Sequence, residues 1–194
     1  MEHGGTMGIT PLALSALALL AERPMHPYEM YQLLLERHED ELVKVRPGSL
    51  YHAVERLEDH ELVEVVGTER EGNRPERTTY AITTAGRSAL VERIRDMLST
   101  PVNEFPQFPV ALGEAHNGPA DLVADDLRSY VAALDEQIHH ASTYLDAAHQ
   151  RGVPEVYLLA GEYVRHLRRA ERDWITTLIT RIETKDLPWH PDHP

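Results

Sequence analysis

The 194-residue chain contains no cysteine. Disulfides are therefore excluded, and so are zinc sites built on thiolates. Long apolar runs are also missing. The longest, Leu12 to Ala21, is too short to span a bilayer. The opening MEHGGTMGIT does not place an apolar segment after a basic one, the pattern of a secretory signal. These features lead to the expectation of a soluble cytoplasmic protein with no membrane contact. Enzyme signatures are absent too: no glycine-rich phosphate loop and no Gly-X-Ser-X-Gly elbow. The acid pairs Asp125-Asp126 and Asp135-Glu136 fit a solvated helix face, so no catalytic residue and no cofactor is expected.

Positive charge is scarce. There are 19 Lys and Arg against 32 Asp and Glu, for a net charge of -13. The imbalance is shared: 11 bases against 17 acids in residues 1–98, and 8 against 15 in residues 99–194. General affinity for nucleic acid is disfavoured, so any DNA-facing surface has to be a local patch.

What is present is punctuated helix. Thr10-Pro11 offers a hydroxyl cap and then a proline at the first helical position. LALSALALLAE is apolar nearly all round, which predicts a central, buried helix ended by Pro24. Pro27 opens a second helix to about Arg37, with Tyr28, Tyr31, Leu34 and Leu35 at helical spacing. ELVKV, residues 41–45, reads as a small strand. Pro47-Gly48-Ser49 opens a third helix to about His60. Residues 62–70 and 77–83 alternate and are β-branched, and the turn residues Gly72-Asn73 and Pro75 join them into a hairpin. A helix from about Thr84 to Leu98 follows. Three helices and then a hairpin make a winged helix-turn-helix, whose third helix enters the major groove and whose hairpin is the wing.

The proline-rich residues 99–118 read as a linker with one helical turn in VALGEA. Two long helices follow, about 119–150 and 154–183, joined by Gly152-Val153-Pro154 into an antiparallel hairpin. In the first, Leu127, Val131, Leu134, Ile138, Ala141, Leu145 and Ala148 alternate steps of four and three, a heptad seam. In the second, Val156, Ala160, Tyr163, Leu167, Ala170 and Trp174 do the same, and Leu178 and Ile182 continue with a stutter. Such a pair needs a further surface to cover it. Hence residues 1–9 are expected as a tail, 10–98 as a DNA-binding domain, 99–118 as linker, 119–183 as a helical dimerisation domain and 184–194 as a second tail. The dimer contacts are assigned to Leu127, Val131, Leu134, Ile138, Leu145, Tyr163, Leu167, Trp174 and Leu178. The fold class is mainly α with a small β-hairpin.

In the third helix, Leu50, Ala53, Val54 and Leu57 share one face and Tyr51, His52, Glu55, Arg56 and Asp59 lie on or near the other, with Ser49 at the tip. Donors gather early and acids late. The N-terminal half of a recognition helix is the part that enters the groove, so the donors stand where a duplex would meet them. Ser49 and Tyr51 can donate to phosphate, and His52 and Arg56 can reach bases or phosphates. Lys44 and Arg46 before the helix, and Arg70, Arg74 and Arg77 of the wing, add phosphate-neutralising charge. An ordinary solvated helix and hairpin tip is the competing reading, because Glu69, Glu71 and Glu76 are interleaved. Among the twelve histidines, His139 and His140 lie a turn from Glu136 and His166 a turn from Glu162, as metal ligands could, but surface histidines fit the spacing better.

Three stretches in register carry a resemblance. MHPYEMYQLL (25–34), RPGSLYHAVERLEDHELVE (46–64) and RPERTTYAITTAGRSAL (74–90) resemble the second helix, recognition helix and wing exit of the PadR family of transcriptional regulators. AERDWITTLITRI (170–182) is similar to the helix end of that family's longer members, which have a C-terminal helical dimerisation domain. The resemblance implies a homodimeric winged-helix repressor on a palindromic double-stranded DNA operator. It also implies Ser49 and Tyr51 on DNA, Arg74 and Arg77 in the wing, and Tyr28 bracing the helix-turn-helix. Some members of the family release DNA on binding phenolic acids or drugs and others activate. A small aromatic or hydrophobic effector at the dimer interface, beside Tyr144, Tyr163 and Trp174, stays open, as does a winged helix that recruits protein rather than DNA.

Overall fold

The computed structural model describes residues 8–69 and 77–189. It divides into two compact units, Met1–Asn103 and Glu104–Pro194. The N-terminal unit holds helices α1 (Pro11–Glu22), α2 (Pro27–Glu36) and α3 (Pro47–Asp59), strands β1 (Val63–Glu69) and β2 (Arg77–Ile82), and helix α4 (Thr84–Ser99). The C-terminal unit holds a short α5 (Gln107–Gly113), the long α6 (Ala120–Gln150) and α7 (Leu159–Glu183).

The start of α1 is capped by Thr10, whose Oγ1 accepts from the Ala13 N–H at 3.2 Å. Its apolar surface is covered on several sides by α2, α3, α4 and β2. Ala16, Leu17, Leu19 and Leu20 are buried there, as are Met30 and Leu34 of α2 and Leu50, Val54 and Leu57 of α3. Each such Leu or Met contributes about 1.5–3 kcal/mol on leaving water. At the C-terminal end of α1, Arg37 donates to both carboxylate oxygens of Glu22 at 2.6 and 2.9 Å. At the far end of α4, the Arg93 Nε donates to the Ile9 carbonyl at 3.0 Å.

Residues 41–45 do not form the small strand expected of ELVKV. A single 3₁₀ turn, Glu39–Glu41, leads into irregular backbone. Val43 and Val45 pack on the core as apolar side chains instead. The edge of β2 is taken by the turn between α1 and α2. Met25 N–H donates to Tyr80 O, and Tyr80 N–H to Met25 O, both at 3.1 Å. β1 and β2 are antiparallel, Val63 opposite Ile82, with an irregularity between Val65 and Gly67.

The hairpin passes into α4 through a crowded corner. Thr83 Oγ1 donates to Glu61 O at 2.8 Å and accepts from the Gly86 N–H at 3.0 Å. Gly86 lies so close to the other strand's start that a Cβ there would stand 2.0 Å from the Leu62 carbonyl oxygen. No side chain fits that space, which explains the glycine in TTAGRSAL.

In the C-terminal unit, α6 and α7 pack along Ala124, Leu127 and Leu134 on one helix and Ile175, Ile179 and Ile182 on the other. Arg172 bonds Asp135 at 2.9 Å across the pair, Tyr130 OH donates to Glu171 at 3.1 Å, and Arg128 pairs with Glu183. The helical turn expected in VALGEA is a longer helix, α5, beginning before it at Gln107. The second long helix starts later than the expected residue 154. Pro154 leads into a 3₁₀ turn, Glu155–Tyr157, and the helix proper begins at Leu159. The end of the described chain is pinned by Trp189, whose indole N–H donates to Gly118 O at 2.7 Å.

Gly86→Ala should destabilise the N-terminal unit by at least about 2 kcal/mol, since backbone must move to admit the methyl group. Urea unfolding monitored by circular dichroism measures the change. A difference below about 0.5 kcal/mol would mean the corner relaxes freely.

Candidate nucleic-acid interface

Helix α3 has one face in the core and one in water. With Leu50, Val54 and Leu57 fully buried, the helix cannot rotate about its axis. The opposite face presents Ser49, Tyr51, His52, Glu55, Arg56 and Asp59, all exposed. Proline at its first position and an extended Arg46 before it set the start, and no side chain caps it. Its first N–H groups therefore face outward, where an anion is favoured. Lys44 and Arg46 are exposed just upstream. Arg77 is exposed on β2, while Arg70 and Arg74 lie outside the described residues.

The exposed face is flanked by two depressions. One, about 320 Å³, lies against the start of α1 and takes in Ser49, His52 and Arg56. The other, about 180 Å³, lies against the start of α2 and β2 and takes in Tyr51 and Glu55 together with His26, Thr78 and Tyr80. The candidate donors of α3 are thus sorted to two sides of one helix, with the tip between them. Glu55 lies 3.1 Å from His52 Nδ1. The two are i,i+3 neighbours on the exposed side of α3.

Sequence reasoning passed over His26. Its Nδ1 accepts from the Tyr28 N–H at 3.0 Å, so it is the N-cap of α2. Its ring meets the Tyr51 ring edge-on, centroids 5.9 Å apart and planes at 75°. One residue back, Met25 is bridged to Tyr80. His26 therefore sits where α2, the recognition helix and the wing meet. A histidine directly before Pro-Tyr, where Ser, Thr, Asn or Asp usually caps, was the available signal. Burial, and then the positive charge of Arg77, hold its pKa below the ordinary 6.5, with Glu29 opposing. Tyr80 has its hydroxyl pKa raised by burial and by the carboxylates of Glu58, to which it is hydrogen-bonded, and Glu55. Tyr28, expected as a brace, is 49% exposed and lies beside Tyr31 of its own helix.

The expected dimer residues separate into two sets. Leu127, Leu134, Ile138 and Leu145 are buried within their own chain, and Val131 and Leu178 pack against the same helical core. Tyr163 (63%), Leu167 (48%) and Trp174 (54%) are exposed. On α7 the residues that meet α6 lie about 100° round from that stripe, so the helix is apolar on two faces. Among the described residues no group of three or more His, Asp or Glu side chains converges to hold a metal ion. Among them, too, no helix is long and apolar enough to cross a membrane.

Three helices, a two-stranded wing and an outward recognition helix define a winged helix-turn-helix protein. Residues 16–92, most of the N-terminal unit, match the Transcriptional regulator PadR-like family. That family is one of transcriptional regulators. The fold is shared over nearly the whole length with solved relatives of low identity. Bacillus subtilis PadR in complex with operator DNA aligns with TM-score 0.75 at 14% identity, over 88% of this chain and 97% of that one. The same protein in complex with p-coumaric acid aligns at 0.71 and 11%, over 90% and 98%. The Vibrio cholerae virulence activator AphA aligns at 0.69 and 17%, over 90% and 99%. No protein of curated function matches the chain.

A histidine held below its ordinary pKa binds its proton less readily in the folded than in the unfolded chain. Its stabilising neutral form is present at neutral pH and is lost as pH falls from about 6.5 through the lower folded value. His26→Asn keeps a capping oxygen but cannot titrate. Urea midpoints at about pH 7.5 and about pH 5.5 should fall further for the wild type than for the variant. Equal falls would detach His26 from the acid response.

Proposed function

We propose that the protein is a sequence-specific DNA-binding transcriptional regulator of the cytoplasm, a homodimer that represses by occupying a palindromic operator. The observation that carries this reading is the outward face of α3. Ser49, Tyr51, His52 and Arg56 are exposed on a helix whose other face is locked into the core. Bacillus subtilis PadR, similar in fold, is solved in complex with operator DNA, which supports the DNA-binding reading. Lys44, Arg46 and the wing residues Arg70, Arg74 and Arg77 supply phosphate contacts around it. Repression needs only occupancy, whereas activation needs a further surface for polymerase; the fold is also that of an activator, AphA.

The dimer is supported by the exposed stripe Tyr163, Leu167 and Trp174, too apolar to face water on a helix already packed on its other side. These rings also suit a small aromatic or hydrophobic effector at the interface between copies, a class to which the p-coumaric acid of the PadR complex belongs. The net charge of -13 favours a second reading, a winged helix that recruits a protein partner and leaves DNA alone.

Selection of duplexes from a random library by the full chain separates the two. The first reading expects enrichment of an inverted repeat, bound with affinity that falls steeply as salt rises. No enrichment and no binding at low salt would leave the partner-recruiting reading. On the selected duplex, Arg56→Ala should cost about 1–3 kcal/mol without lowering the melting temperature.

Leu167→Asp should convert the dimer to a folded monomer in sedimentation equilibrium, with helix content unchanged. Leu134→Asp should instead unfold the hairpin, because Leu134 is buried inside its own chain. A dimer that survives Leu167→Asp would remove the α7 stripe from the interface.

A further inference from the structure

We propose that the cleft between α2, α3 and β2 is a seat for one backbone phosphate of the bound duplex, held by His26, Tyr51 and Thr78. The proposal rests on the DNA-binding reading above. It adds His26 and Thr78, which the sequence did not suggest, to the phosphate role read for Tyr51.

The cleft, about 180 Å³, is open to solvent and lined by His26, Pro27, Tyr51, Glu55, Thr78 and Tyr80. It adjoins the exposed face of α3, with which it shares Tyr51 and Glu55. The tautomer of His26 follows from its cap. Nδ1 accepts the Tyr28 N–H at 3.0 Å, so in the neutral ring the proton sits on Nε2. The imidazole thus offers the cleft a donor, not an acceptor. The Tyr51 and Thr78 hydroxyls add two more donors from α3 and β2. Because His26 itself satisfies the first N–H of α2, the seat is made of side chains rather than of a bare helix end.

Three acids stand nearby, Glu29, Glu55 and Glu58, and Glu29 is paired with Arg23 at 2.5 Å. Glu55 lies 3.1 Å from His52. Glu58 accepts from Tyr80. Arg77, the residue before Thr78, is close enough for its charge to depress the His26 pKa, so the field at the cleft has a positive contribution. Phosphate is the anion that a recognition helix meets beside the groove.

The seat is preorganised. Met25 and Tyr80 exchange two backbone hydrogen bonds at 3.1 Å, which fix the residue before His26 to the wing. The Tyr51 ring rests edge-on against His26. A phosphate held here sets the register of α3 in the groove and carries no base information. His26 and Thr78 therefore act on every duplex alike, unlike Arg56.

The test uses the full chain, a random-sequence duplex at low salt and a duplex selected from a random library. His26→Asn keeps the cap and removes the ring donor, and Thr78→Val keeps the β-branched shape and removes the hydroxyl. Each variant should bind both duplexes about five- to tenfold more weakly, by the same factor on each. Unchanged affinity of both variants, with the wild type binding both duplexes, overturns the seat and leaves the DNA-binding reading standing. Loss confined to the selected duplex also overturns it, since that is the mark of base readout. A wild-type chain that binds neither duplex overturns the seat and the reading together. If His26→Asn melts early, Thr78→Val decides.

Discussion

Covering α1 on several sides at once is the constraint on which the N-terminal unit depends. A helix as apolar as LALSALALLAE cannot be satisfied by one neighbour. It draws in α2, α3, α4 and β2 together. α3 answers by committing Leu50, Val54 and Leu57 to that core. The rotation of the recognition helix, and hence the identity of every side chain it shows to solvent, is a consequence of how α1 is buried. Which side chains α3 shows to solvent is set by packing on its far side.

The wing is attached by the same logic of close approach. Gly86 lets α4 start against the Leu62 carbonyl, and Thr83 closes the corner with its hydroxyl. The Met25–Tyr80 bridge ties the hairpin to the start of α2. His26, next in the chain, inherits a position that touches α2 and Tyr51. Glu55 and Glu58 stand beside these donors, so the surface there is locally mixed in charge.

In the C-terminal unit one helix carries two apolar faces. The heptad seam of α6 is the face that packs within the chain: Leu127, Leu134, Ile138 and Leu145 are buried. The seam read on α7 is the other face, exposed at Tyr163, Leu167 and Trp174. Both faces repeat at nearly the same period, so spacing alone does not tell which one meets α6. Ile175, Ile179 and Ile182 win the inner position. Branched aliphatic side chains fill a narrow two-helix interface better than an indole or a phenol does, and the aromatic stripe is left outside.

Much of this was legible in the residues. Thr10-Pro11, Pro27 and Pro47 mark three helix starts because proline lacks the N–H that a first turn leaves unpaired. Alternation marks the hairpin, and the inward and outward faces of α3 follow from its period. The strand expected at 41–45 was not legible as loop, since β-branched residues also serve as isolated core side chains and the edge of β2 was taken by Met25. The capping role of His26 was signalled by its place before Pro27-Tyr28, but its meeting with Tyr51 was not, because Tyr51 is far away in sequence. Local patterning therefore determined which segments are helix or strand and which side chains of α3 face out. Tertiary structure alone decided which of the two faces of α7 is covered and which residues from α2, α3 and β2 share a cleft. Those outcomes depend on contacts between distant segments, and periodicity carries no information about the partner.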